Sequence, residues 1–212
     1  LFYNTNLTLR YLKAGSPDDS RSAMMHIVHL WPRWGSLTEA VKKGTAVARE
    51  ALKKRSEEQT VAFISAMHKN ASFAARPIVA GIDLTGVNSL LDLGGGSGAY
   101  SIAFAKREPR LKITVFDLPN VLPLAKKYIA EAGLADKIQT RAGDMRTDQL
   151  GRNYDLVFVS AICHMFSPRE NLALFKKIKS ALSKGGRVVI QDFVLNDDKT
   201  SPRQAAIFAI NM

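Results

Sequence analysis

The hydrophobic pattern along the chain changes period near residue 85. Before that point apolar residues recur at the spacing of amphipathic helices; after it, short β-branched runs alternate with helical stretches. Residues 1–12 read as a short extended piece leading to the turn cluster Gly15-Ser16-Pro17-Asp18-Asp19. Met24, Met25, Ile27, Val28, Leu30 and Trp31 then mark a helix over 20–34, closed by Pro32. Ser36-Leu37-Thr38-Glu39 has the form of a capping box, in which two side chains satisfy free N–H groups at a helix start. Ser56-Glu57-Glu58-Gln59 repeats the device and opens a helix to about residue 70, with Pro77 expected to kink or end its continuation. Residues 1–80 thus form a helical segment with exposed apolar side chains and no compact core of its own. Such a segment docks on another domain or subunit, and Met24, Met25, Trp31 and Trp34 suit a dimer interface better than a ligand pocket.

Residues 81–212 read as repeated β-α units. Strands are expected at 88–93, Lys112–Asp117, 137–141, Tyr154–Ser160 and 187–194. Helices fall between them at Ala99–Arg107, at 120–131 and from Ser167-Pro168-Arg169-Glu170, a further capping box, to Gly185-Gly186. Runs such as LVFV and VVI are apolar without alternation, as strands covered on both faces are. The fold class is therefore α/β, a Rossmann-like parallel sheet with helices on both faces, preceded by the helical segment.

Composition narrows the setting. Of 212 residues 46% are hydrophobic and 23% charged, which is ordinary globular usage. No apolar run reaches the ~18–20 residues needed to span a bilayer, and the single cysteine, Cys163, suits a reducing compartment. A soluble, cytoplasmic protein is expected. The balance of 30 basic against 19 acidic residues gives a net charge of +11. The basic residues are spread over four expected helices (Lys42-Lys43, Lys53-Lys54-Arg55, Lys126-Lys127, Lys176-Lys177-Lys179), which argues against one nucleic-acid surface.

The strongest local signal is Leu90-Leu91-Asp92-Leu93-Gly94-Gly95-Gly96-Ser97-Gly98-Ala99-Tyr100, a buried strand running through a glycine-rich turn into a helix. Glycines allow a sharp turn and close backbone approach, and the helix start presents N–H groups to a nucleotide-like cofactor. Two cofactor classes compete. Gly94, Gly96 and Ala99 match the dinucleotide pattern, with Asp117 at the distance of a ribose-binding acid. Asp92, beneath the loop, instead suits a cationic ligand such as the ammonium or sulfonium of S-adenosylmethionine. Gly143-Asp144-Met145 adds a third acid after the third strand, suited to an adenine amino group and ring face.

The stretch LLDLGGGSGAYSIAFAKREPRLKITVFDLP, then AGDM, then ICHMFSPRENLALFKKIKSALSKGGRVVI, resembles the plant-type small-molecule O-methyltransferases and their bacterial relatives, the hydroxyindole and caffeic acid type. FISAMHKNAS at 63–72 resembles that family's helix bordering the cofactor, and NTNLTLRYL with WPRWGSLTEAVKKG the end of its winged-helix dimerisation domain. The resemblance implies S-adenosylmethionine as cofactor and a homodimer formed through the N-terminal helices. It implies that Gly94, Gly96 and Gly98 cradle the methionine part, with Gly95 in the same cofactor-binding loop. Asp117 and Leu118 would bind ribose, and Gly143, Asp144 and Met145 would sit at the adenine. Ser160 stands where plant members carry a lysine. His164 falls on the catalytic base, followed by Met165 and Phe166 where plant members have an acid and a tryptophan. Met67, His68 and Phe166 are the expected acceptor contacts.

The resemblance also implies that the chain is truncated at both ends, with two strands and an acid that orients His164 lying beyond residue 212. The expected reaction is methyl transfer to a hydroxyl of a small aromatic metabolite. Two alternatives stand beside it: an NAD-dependent oxidoreductase and a catalytically inactive winged-helix regulator. No metal is expected: His26 and His29 share a helix face, but no third ligand is placed to join them.

Overall fold

The computed structural model describes residues 2–16, 18–45, 47 and 56–211; Pro17 and the basic run at 53–55 lie outside them. The chain divides into two compact units, Leu1–Asn70 and Ala71–Met212, with the division inside helix α4.

The first unit carries α1 (Asn6–Tyr11), α2 (Arg21–Gly35), α3 (Leu37–Lys43) and the opening of α4 (Glu57–Ala80). Three local expectations change here. The N-terminal piece is a helix, not extended, because the Thr5 hydroxyl accepts from the Thr8 N–H and caps it. Pro32 lies within α2 and does not close it. Ser36 makes no capping bond at α3; its hydroxyl turns back and donates to the Arg33 carbonyl at 2.8 Å. At the start of α4 the reciprocal device is present: Gln59 N–H donates to Ser56 Oγ and Ser56 N–H to Gln59 Oε1. Pro77 is accommodated, and α4 runs on to Ala80 with Ala75 and Val79 buried. Neither α2 nor α3 has a buried residue, and Trp31 is 77% exposed.

The second unit contains the expected five-stranded parallel sheet, in the order β3-β2-β1-β4-β5. The strands are β1 (Ser89–Leu93), β2 (Lys112–Asp117), β3 (Ile138–Ala142), β4 (Tyr154–Ser160) and β5 (Leu182–Gln191). Alternate residues of the central strands feed two cores. Leu90, Ile113, Val115, Leu156 and Phe158 pack beneath α5 (Ala99–Arg107) and α6 (Leu122–Glu131). Leu91, Leu93, Phe116, Val157 and Val159 pack against Leu174 and Ile178 of α7 (Pro168–Ala181). With helices on both faces, the chain order reverses between β1 and β4. In open parallel sheets ligands bind at such a point, outside the carboxyl ends of the strands.

β5 departs from its expected bounds. Gly185-Gly186 does not end the helix; α7 stops at Ala181, and the strand begins at Leu182 with a register shift against Tyr154 and Leu156. A side chain at Gly186 would stand 2.9 Å from the Tyr154 carbonyl, so the glycines serve a bulge. The strand ends at Gln191, followed by α8 (Arg203–Asn211). Among the described residues no helix is long and apolar enough to cross a membrane.

Candidate functional site

Because all five strands are parallel, the residues that follow them gather along one edge of the sheet. Gly94 N–H donates to the Phe116 carbonyl and Gly98 N–H to the Gly95 carbonyl, both at 2.8 Å, closing the turn between β1 and α5. Gly95 lies directly on Asp92: a Cβ there would meet Asp92 Cγ at 2.8 Å. Gly96 is the reverse case, with a left-handed φ of 57° and nothing within 4 Å of where its Cβ would be. The loop is pressed onto the protein at one residue and open at the next.

Asp92 is 1% exposed and accepts a 2.7 Å bond from the Ser101 hydroxyl. Burial pushes its carboxyl up to about 6, opposed by the Ser101 bond and reinforced by nearby Asp117. Stability contributed by the protonated form is therefore present below the ordinary carboxylate range and lost as pH rises through about 6. A shift of this size corresponds to very roughly 3 kcal/mol. Asp92→Asn is expected to flatten the fall in melting temperature of ligand-free protein between about pH 4.5 and pH 7.5. Melting curves with the same pH dependence in parent and variant would show that Asp92 does not titrate in this range.

Asp117, at the end of β2, accepts from Gly96 N–H and Leu118 N–H, both at 2.7 Å. Burial raises its carboxyl, and those two N–H bonds lower it. Asp144, after β3, is forked by the Arg146 guanidinium at 3.1–3.2 Å. A side chain at Gly143 would strike the Phe116 ring at 2.4 Å. The Met145 carbonyl accepts from Lys177 Nζ at 2.6 Å, and its methyl stands 2.9 Å from where a Gly94 side chain would start. Ser160, at the end of β4, donates to Gln191 Oε1 at 2.6 Å.

Beyond Ser160 the backbone turns through Ala161, a non-glycine residue at φ 54°, into a short 3-10 turn, Cys163–Met165. His164 sits in that turn. Its Nδ1 is 2.7 Å from Asp192 Oδ1, and its backbone N–H donates to Asp192 Oδ2 at 3.2 Å. A carboxylate only accepts, so Nδ1 carries the proton and the neutral ring keeps its lone pair on Nε2. Phe208 of α8 meets the imidazole edge-on at 4.8 Å between ring centres and stacks on Phe193 at 3.9 Å.

Asp92, Asp117 and Ser160, at the ends of β1, β2 and β4, and the glycines, Gly143-Asp144-Met145 and His164, in the loops that follow the strands, thus all gather at the carboxyl edge of one sheet. Met67 and His68 belong to the first unit. Phe166 packs on the core beside α7. Asp192 is not among the expected residues: immediately after β5, it supplies an acid that meets His164 within the chain itself. His26 packs edge-on against Phe63, and among the described residues no group of three or more His, Cys, Asp or Glu could hold a metal. Burial pushes the Cys163 thiol up, away from thiolate.

Fold and loop together define a doubly wound domain with a nucleotide-type cofactor edge. The chain belongs to the O-methyltransferase domain family, whose sequence profile matches residues 34–212. It is similar to 3-hydroxy-5-methyl-1-naphthoate 3-O-methyltransferase of Streptomyces sahachiroi, 33% identical over the whole chain and 63% of that protein. It is 38% identical to L-tyrosine C(3)-methyltransferase of Streptomyces lavendulae over 70% of this chain and 41% of that one. The crystal structure of human N-acetylserotonin methyltransferase in complex with SAM superposes with a TM-score of 0.81, at 28% identity, over 98% of this chain and 62% of that one. The chain therefore spans less than two thirds of the length of these relatives.

Proposed function

We propose that the complete protein transfers a methyl group from S-adenosylmethionine to a hydroxyl of a small aromatic metabolite, with His164 as general base. One arrangement carries this reading: a histidine oriented by a carboxylate, at the sheet edge that also holds the glycine loop and Asp117.

The residues present fit the cofactor. Gly96 leaves open space beside its backbone, and the start of α5 has no side-chain cap, so Gly94, Gly96 and Gly98 can lie against the methionine part. Asp117 spends one N–H bond on each oxygen and keeps lone pairs for the ribose hydroxyls, with Leu118 beside it. Asp144 and Met145 take the adenine, and Gly95, Gly143 and Ser160 shape the walls. Asp92 is too deeply buried for direct contact; its charge acts through the loop on a cation above it. This preference for a cation is the argument against a dinucleotide.

When bound, S-adenosylmethionine supplies an electrophilic methyl on a positive sulfur. The chain holds the acceptor in line and removes its proton. Asp192 fixes the ring so that Nε2 receives the hydroxyl proton and stabilises the imidazolium that forms. A phenol titrates near about 10 in water and an imidazole near about 6.5, so proton removal is assisted as the methyl moves. Phe193 and Phe208 offer a flat wall beside the base, joined on the reading above by Phe166. The exposed apolar face of α2 and α3, in a segment 1–80 that we read as the remnant of a winged-helix domain, pairs two copies.

Calorimetric titration is the first test: S-adenosylmethionine and S-adenosylhomocysteine bind, and NAD does not. NAD binding without the other two would favour an oxidoreductase. A screen of hydroxylated aromatics with labelled methyl donor then identifies the acceptor. The likeness to a tyrosine C(3)-methyltransferase favours a second reading, in which the deprotonated phenol attacks through its ring carbon. Locating the new methyl group in the product by NMR separates the two.

A further inference from the structure

Asn171 lies in the opening turns of α7, four residues past its Ser167 cap. Its amide nitrogen donates to the carbonyls of Cys163 at 2.9 Å and Phe166 at 3.2 Å. Those carbonyls flank His164 on either side. The amide oxygen of Asn171 is buried and meets no partner among the described residues. Its orientation follows from chemistry: the flipped amide would set an oxygen against two carbonyl oxygens. Burying an unpaired amide oxygen is unfavourable, and an apolar side chain would avoid it. The residue is therefore explained by its two donated bonds.

These bonds do what the turn cannot do for itself. Within it, Met165 N–H reaches the Ile162 carbonyl and Phe166 N–H the Cys163 carbonyl, which shapes the turn but ties it to nothing else. The Ser167–Glu170 capping box fixes the start of α7 and leaves the Cys163 carbonyl untouched. Asp192 grips His164 by ring and backbone from the end of β5. Asn171 supplies the opposing anchor, from α7. Phe193 and Phe208 touch the ring without bonding it, so a turn released from α7 can let it drift from the carboxylate that fixes its tautomer.

We propose that Asn171 is a positioning residue for His164, tying the 163–166 turn to α7 so that the imidazole stays seated on Asp192. Its consequence for turnover rests on the reading of His164 as the base; its consequence for the ring does not. The test is histidine 15N NMR on the full chain, with S-adenosylhomocysteine affinity measured by calorimetry. In the parent the His164 shifts report a proton on Nδ1. In Asn171→Ala, which leaves a good helix former in α7, the Nδ1–H to Nε2–H ratio falls by about tenfold. S-adenosylhomocysteine affinity stays within about threefold. In the complete enzyme kcat falls while KM for the methyl donor is unchanged. An unchanged tautomer ratio in Asn171→Ala overturns the proposal. Should that variant not fold, Asn171→Asp, which keeps size and loses the donors, carries the same readouts. Failure of both to fold assigns the amide to the core and equally overturns it. If His164→Asn leaves turnover intact, the base assignment falls, while the NMR result still decides Asn171.

Discussion

His164→Asn lowers turnover of the complete enzyme by at least about a hundredfold and leaves S-adenosylhomocysteine affinity within about threefold. Asparagine is the informative replacement. Its amide can still donate to Asp192, so the partly buried carboxylate keeps a partner, while nothing remains where Nε2 stood. His164→Ala removes both functions and, among the described residues, leaves Asp192 with only the N–H of Phe193 and the backbone N–H of residue 164. The loss of activity should be similar in the two variants, and the loss of stability larger in the alanine variant. Asp192→Asn completes the set: an amide at that position accepts the Nδ1–H poorly and favours the other tautomer, placing the proton on Nε2, the nitrogen proposed to receive one. Steady-state kinetics with an identified acceptor is the measurement. Turnover preserved in His164→Asn would leave in-line positioning as the whole of catalysis.

The sheet and its cofactor edge were legible in the sequence because local and tertiary preferences agree there. β1, α5 and β2 end at or beside glycine, proline or acid residues whose backbone roles are local, and the apolar runs of β1 and β4 are buried on both faces. Features set by tertiary context were not legible. Asp192 lies 28 residues from His164 and directly follows Val-Val-Ile-Gln, and because apolar residues resume at Phe193-Val194 the expected strand runs past it. The rule that picked out the acids after β2 and β3 would have found it, had the strand been ended at Gln191. Pro32 and Pro77 are poor guides because each removes one backbone bond, which the rest of a long helix tolerates. Ser36 has the composition of a cap but not the backbone: at φ −88° and ψ 1° it nearly continues α2 into α3. The depth of Asp92 was legible only in part. Its place under a crowded turn follows from the glycines, whereas its seal beneath Gly95 and its bond to Ser101 require α5 to be docked.

That seal makes Gly95→Ala the variant expected to harm cofactor binding most. A methyl group there would stand 2.8 Å from Asp92 Cγ, 2.9 Å from Oδ2 and 3.0 Å from Val115 Cγ1. Neither neighbour can yield: Val115 is fully buried, and Oδ2 is the oxygen held by Ser101. The loop must lift instead. Lifting strains the Gly94 bond to the Phe116 carbonyl and the Gly96 bond to Asp117, the two ties that set the cradle. Overpacking of this kind costs about 1–3 kcal/mol of stability, and displacement of the cradle should weaken S-adenosylmethionine by roughly a hundredfold. Gly96→Ala is the contrast. It meets no atom within 4 Å, so its stability cost is the left-handed backbone alone, about 1–2 kcal/mol. Adding Asp92→Ala to Gly95→Ala removes the carboxylate that the new methyl strikes and should restore part of the stability, a coupling readable in a double-mutant cycle. It should not restore affinity, because the charge beneath the cation goes with it. Parent-like melting and affinity in Gly95→Ala would mean that the loop does not rest on Asp92, and the electrostatic case for a sulfonium ligand would go with that contact.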